Sequence, residues 1–268
     1  MKIAIISDIH GNLEALKATL IDIEVSRYIL YPAILPCLIS SNVASIEGKG
    51  TKSGLYYKKE FERKCKINYG TYYILKCDIS KFFASIDKEI LKKKLERKIK
   101  HKEALEIVNK IIESEEQGLG IGNMTSQVLA VFYLNDLDHY VKECLHIKYY
   151  VRYQDDFLLF HESKEYLKHC LEKIKEFLKK EKLSLNNKSR IYKNTNNYIF
   201  LGRTKNGKYA KYRNMKRKIK YKKFLYENNC IQLSNLINSI NCYESLSKKK
   251  LWLKKLVDDY TNFLLLIC

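Results

Sequence analysis

An α+β fold, with an antiparallel sheet backed by helices, is what this sequence predicts, and three stretches carry the expectation. YYVRYQDDFLLF (149–160) is an apolar and aromatic run broken at its middle by two aspartates, and it reads as a buried hairpin. TYYILKCDISKFF (71–83) is an apolar strand that runs into a polar turn. KEYLKHCLEKIKEFLKK (164–180) sets Leu167, Cys170, Leu171, Ile174, Phe177 and Leu178 on one face at three- and four-residue spacing, as a helix packed on a sheet requires. Only two prolines and ten glycines occur in 268 residues, so long flexible linkers are not expected and the chain reads as compact and helix-rich.

The elements follow in order. IAII (3–6), SDIHGN and LEALKATLIDIE read as strand, loop and helix. GKGTKSGLYYKKEFERK (48–64) is a glycine-punctuated basic loop entering a helix, and KEILKKKLERKIK after Asp87 is a second charged helix. Beyond the central hairpin and its helix, NYIFLG, KNGK and YAKYR read as strand, turn and strand. LWLKKLVDDYTNF has helical spacing, which places Asp258 and Asp259 on an exposed surface rather than in a site.

With 46% hydrophobic residues the chain can fill a core, and its formal net charge of +20 favours a polyanionic partner. A lysine-rich composition would give the same excess. Residues 203–224 contain eleven Lys or Arg, no acid, and Tyr209, Tyr212 and Tyr221 among them. Cations alternating with aromatics suit a groove that tracks a nucleic-acid backbone, the alternative being a solvated helix face. The eight cysteines form no CxxC pair and have no histidine at zinc spacing, so they read as reduced thiols of a cytoplasmic protein. No stretch suits a signal peptide or a membrane span, and no membrane partner is expected.

Two adjacent aspartates are costly to bury unless a cation neutralises them. Magnesium answers that need, because it takes hard carboxylate oxygens and two such ions can serve nucleotidyl transfer. Side chains at 155 and 156 would point to opposite faces of a regular strand, so both can meet metal only if the pair sits at a hairpin turn. A third carboxylate is needed from a neighbouring strand. Asp78, at the end of YYILKCD, is the candidate.

CDISKFFASID, GLGIGNMTSQVLAVFYLNDLD and YVRYQDDFLLF, in this order, resemble the palm motifs of reverse transcriptases, over about residues 28–228. The resemblance implies a right-hand polymerase palm with partial fingers and a short, basic helical thumb. It divides the chain into a remnant at 1–24, fingers at 25–66, palm at 67–202 and thumb at 203–268. It also implies that Asp78, Asp155 and Asp156 hold two Mg2+, with Mn2+ as an alternative, for attack of a primer 3′-hydroxyl on a dNTP over an RNA template. Phe83 matches the aromatic gate against a ribose 2′-hydroxyl. Gly122, Ser126 and Gln127 match the nucleotide pocket, and Lys188 matches the lysine that protonates pyrophosphate. Lys49, Lys52, Lys208, Lys211, Arg213, Lys216 and Arg217 fall where the RNA template and RNA/DNA duplex would pass. Ser126-Gln127, where most bacterial members have Ser-Pro, resembles the diversity-generating retroelement branch, which adds a retroelement accessory protein as a candidate partner.

MKIAIISDIHGNLEALKATLIDIE departs from that pattern and resembles the start of a calcineurin-like metallophosphoesterase, with Asp8 and His10 as that family's metal ligands. The GD and GNH motifs that should follow are missing, so an intact phosphoesterase site is not expected. A fused or truncated reading frame that has lost the early fingers is. A catalytically impaired RNA-binding remnant is therefore the alternative to an active polymerase.

Overall fold

The computed structural model describes residues 13–207, 212–228, 230–232 and 235–236. The chain divides into two compact units, 1–201 and 202–268. Strand IAII, Asp8, His10, Lys208, Lys211 and the LWLKKLVDDYTNF segment lie outside the described residues.

The first unit is built on a four-stranded sheet of order β2-β3-β1-β4, antiparallel at every pair. Its strands are β1 (Tyr73–Asp78), β2 (Tyr149–Tyr153), β3 (Asp156–His161) and β4 (Arg190–Lys193). Side chains alternate between faces. Leu75, Cys77, Tyr150, Phe157 and Leu159 join the main core, while Ile74, Tyr149, Val151, Leu158 and Phe160 join a second, smaller one on the other face. Because both faces of the central strands are covered, β3 reads FLLF rather than alternating.

Helix α9 (Lys164–Lys180) backs the sheet over the main core, its first turn capped by Ser163, whose Oγ accepts from Tyr166 N at 3.1 Å. Leu167, Cys170, Ile174 and Leu178 are fully buried and Leu171 and Phe177 half-buried, the face expected from their spacing. Each buried aliphatic side chain there contributes about 1.5–3 kcal/mol. Helix α3 (Thr51–Tyr69) lies against β2 and β3 and ends at Gly70, whose φ of 68° is left-handed. Gly54 lets it approach closely, since a Cβ there would fall 2.7 Å from Leu201 Cδ1 and 3.2 Å from Val43 Cγ2.

At the other end of this unit, α1 (Leu13–Val25) continues through a π-helical turn at Ser26–Leu30 into α2 (Tyr31–Ile34). Helices α4 (Phe82–Ser85), α5 (Lys88–Glu96), α6 (Lys102–Glu113), α7 (Met124–Tyr133) and α8 (Asn135–His139) join β1 to β2. α7 is apolar almost all round, and everything from Val128 to Tyr133 is buried. The unit closes with the two-residue strand β5 (Ile199–Phe200).

In the second unit, β6 (Arg203–Thr204) enters a turn in which Gly207 N donates to Thr204 O at 2.9 Å, as KNGK predicts. The strand expected at YAKYR is not formed where it can be seen: Tyr212 and Arg213 open α10 (Tyr212–Glu227). The straight-chain residues of RNMKRKIKYKKF favour a helix, and it extends back over both residues. Among the described residues no helix is long and apolar enough to cross a membrane.

Candidate active site

Asp78 is the last residue of β1 and stands directly opposite Asp156, the first residue of β3. Tyr153 pairs with Asp156 on the other side, leaving Gln154 and Asp155 as a two-residue hairpin turn. Such a tight turn needs a left-handed first residue, and Gln154 has φ of 53°. Ile79 N donates to Asp155 O at 3.3 Å, so the turn is tied to the end of β1. The adjacent aspartates thus sit in the turn and at the strand residue that follows it, and Asp78 pairs beside them from the neighbouring strand.

Compensation for these charges is partial. Lys76, two residues before Asp78 on the same strand face, donates from Nζ to Asp156 Oδ1 at 2.7 Å. Burial nevertheless pushes the Asp156 carboxyl up to about 6, against the pull of Lys76 and with help from Asp78 and Asp155. Burial also raises Asp155, and Asp78 adds to it. Among the described residues, no three His, Cys, Asp or Glu side chains gather into a ready-made cation cage. The Asp156 carboxylate is instead bonded to Lys76.

The backbone of Asp78 is pinned by the later LNNKSR loop. Its carbonyl accepts from Asn186 N at 2.7 Å and its N–H donates to Ser189 Oγ at 3.2 Å, while Ile79 bridges to Leu185. Lys188 lies in this loop with an exposed side chain, its N–H donating to Asn186 Oδ1 at 3.1 Å. The candidate lysine is therefore carried on a loop bonded to Asp78 itself.

Phe83 lies on α4, half-buried against the main core, with its ring edge-on to Phe82 at 5.7 Å between centroids. Its carbonyl accepts from Leu119 N at 2.9 Å, which draws the glycine-rich loop onto α4. Gly118 makes this approach feasible: φ is 64°, and a Cβ would sit 2.2 Å from Phe83 O. Gly122, exposed, needs glycine for its φ of 112° rather than for space. Ser126 is buried and Gln127 exposed on the first turns of α7. Ser45 Oγ links Gln127 to the Gln154–Asp155 turn, donating to Gln127 Oε1 at 3.4 Å and accepting from Gln154 Nε2 at 2.9 Å.

The basic candidates divide. Lys49 donates to the carbonyls of Ser40 at 2.8 Å and Asn42 at 3.3 Å, so its ammonium braces its own loop. Lys52 is exposed on the first turn of α3, and Arg213, Lys216 and Arg217 lie along α10.

Three residues that hold the site lie inside the quoted motifs but carry no role in the sequence reading. Lys76 is one, although its i, i+2 relation to Asp78 is a legible signal. Gly118 is the second. The third is Asp138, fully buried, which accepts from Arg152 Nε at 2.7 Å, Arg152 Nη2 at 2.6 Å and Tyr150 Oη at 2.7 Å. Arg152 also donates to Gln154 O at 3.0 Å and Val131 O at 3.1 Å, so this arginine is a buried fork that grips the turn.

A four-stranded antiparallel sheet backed by helices, with three aspartates converging where β1 meets the β2–β3 turn, is the palm of a right-hand nucleic-acid polymerase. The chain belongs to the reverse transcriptase (RNA-dependent DNA polymerase) family, whose sequence pattern matches residues 30–205. No curated protein matches it by sequence. Among solved structures it is similar to telomerase from Candida tropicalis in complex with a TWJ fragment of telomeric RNA, at 13% identity and a TM-score of 0.52 over 89% of this chain and 47% of that one. Telomerase from Candida albicans, with the same kind of fragment, gives 14% identity and a TM-score of 0.50 over 94% and 48%. These likenesses are of fold, and the chain spans less than half the length of the structures it matches.

Proposed function

We propose that this protein is an RNA-directed DNA polymerase of a bacterial retroelement, adding dNTPs to a primer 3′-hydroxyl on an RNA template. The observation that carries the reading is the direct pairing of Asp78 with Asp156, with Asp155 in the adjoining turn. Three hard oxygen donors, two of them with carboxyls pushed up by burial, offer the donor chemistry that a divalent cation takes, although they do not stand as a ready-made cage. Asp78, Asp155 and Asp156 would hold Mg2+, with Mn2+ as the other candidate. When bound, the ions lower the pKa of the attacking hydroxyl and offset the charge on the departing pyrophosphate.

The remaining roles belong to the chain's own side chains. Phe83 closes the sugar pocket against a 2′-hydroxyl, Gly122 lets backbone run close to the nucleotide, and Ser126 and Gln127 shape its wall. Lys188 delivers a proton to the pyrophosphate. Lys52, Lys208, Lys211, Arg213, Lys216 and Arg217 meet the RNA template and RNA/DNA duplex through phosphate contacts. Ser126-Gln127 supports assignment to the diversity-generating branch, in which an accessory protein would join the complex in the cytoplasm. Primer extension on a primed RNA, with dNTPs against NTPs, tests the reading. The wild type should extend with dNTPs, and Phe83→Val should gain NTP incorporation; salt-sensitive RNA binding without any extension would overturn it in favour of an impaired RNA-binding remnant.

A further inference from the structure

Helix α7 carries Ser126 and Gln127 but does not cap itself, because Asn123 at its N-cap makes no side-chain bond to the helix. The missing acceptor comes from 102 residues earlier: Asp22 Oδ2 accepts from Met124 N at 2.7 Å and Asp22 Oδ1 from Thr125 N at 3.2 Å. Thr125 Oγ1 donates to the same carboxylate. Two of the helix's orphan amides and a buried hydroxyl thus converge on one anion, and a carboxylate at a helix N-terminus is further favoured by the helix dipole.

Asp22 lies on α1, outside the residues that match the reverse transcriptase family. It also lines a cleft of about 1680 Å³ together with Gly122, Asn123, Met124 and Tyr153, the residue that precedes the catalytic turn. A segment whose sequence has nothing of the family's motifs is therefore bonded to the first turn of α7, beside Gly122.

We propose that Asp22 is a positioning residue of the nucleotide pocket, fixing the first turn of α7 and with it the placement of the exposed Gln127 and the buried Ser126 beside it. The role of Ser126 and Gln127 rests on the proposed polymerase reading; the cap itself does not. Loss of a side-chain cap loosens a first helical turn by about tenfold in its opening equilibrium.

The test is made on the full chain with three variants: Asp22→Ala, Asp22→Asn, which keeps one acceptor oxygen, and Leu178→Ala, a core truncation on α9 far along the chain from the pocket. Amide hydrogen exchange at Met124 and Thr125 should speed up about tenfold in Asp22→Ala, less in Asp22→Asn, and no more than the global average in Leu178→Ala. Equilibrium dNTP binding with Mg2+ should weaken several-fold in the same order, with Leu178→Ala unchanged at a temperature where it stays folded. Unchanged exchange in Asp22→Ala would overturn the cap. Faster exchange with dNTP affinity equal to that of Leu178→Ala would overturn the positioning role. If the wild type binds dNTP but does not extend a primer, the polymerase reading fails while both readouts still decide the role of Asp22.

Discussion

Carboxylates on the two sides of one hairpin, one on α8 and two at the turn itself, are treated in opposite ways. Behind the turn, Asp138 is fully buried yet completely answered, with a two-pronged Arg152 and the Tyr150 hydroxyl. In front of it, Asp155 and Asp156 are less buried and less answered: one lysine reaches Asp156, and burial still raises both carboxyls. A buried acid that the fold supplies with partners is part of the architecture. An acid raised by burial, facing other acids and given one cation, marks a place where the fold leaves room for a charge from outside.

The contrast can be broken from either side. Asp155→Asn should lower Mg2+-dependent primer extension on the order of 10³-fold, because a charged ligand is lost while its shape is kept, with little change in the unfolding midpoint. Arg152→Ala should do the reverse, leaving Asp138 buried without its partner and costing about 3–5 kcal/mol in urea denaturation. Gly118→Ala should cost about 1–3 kcal/mol in the same assay, since a methyl group would meet the Phe83 carbonyl at a left-handed backbone position.

The smallest effect is in titration. Carboxyl NMR of the metal-free protein should place the Asp156 midpoint near about 6 and that of Asp87 below its usual 3.8, because Lys182 and the Ile90 amide both bond the Asp87 carboxylate. The signs of the stability terms are opposite. Asp87, with a depressed folded pKa, contributes stability that is present above its unfolded pKa and is lost as pH falls through its folded pKa. Asp156, with a raised one, takes stability away as pH climbs from 3.8 toward about 6.

Much of this contrast is legible in the sequence. An acid pair inside an apolar run has few uses, and the requirement that both face one metal already demands a hairpin turn at the pair, although the structure confines that turn to Gln154 and Asp155. Asp78 follows as the acid at the end of the next apolar strand. The α9 face is equally legible, because its periodicity records what it packs against. Asp138 is not, since an aspartate in LNDLDHYV has the same letters whether it faces water or a buried arginine 14 residues on. YAKYR misled through its alternation, while the helix was set by the straight-chain residues beyond it. Gly118 and Asp22 depend on contacts across 34 and 102 residues, between Gly118 and Ala84 and between Asp22 and Met124, which no local pattern encodes.

The central claim, that the aspartates at the turn are left short of charge for a divalent cation, is tested most directly by thermal unfolding with and without Mn2+ or Mg2+. A ligand that binds only the folded state raises its stability by about 2.7 kcal/mol at one hundred times its Kd. The wild type should show a rise in Tm that saturates with divalent ion and is absent in Asp156→Asn, while Na+ at matched ionic strength has no such effect. A Tm indifferent to divalent ions, or a rise kept in full by Asp156→Asn, would contradict it.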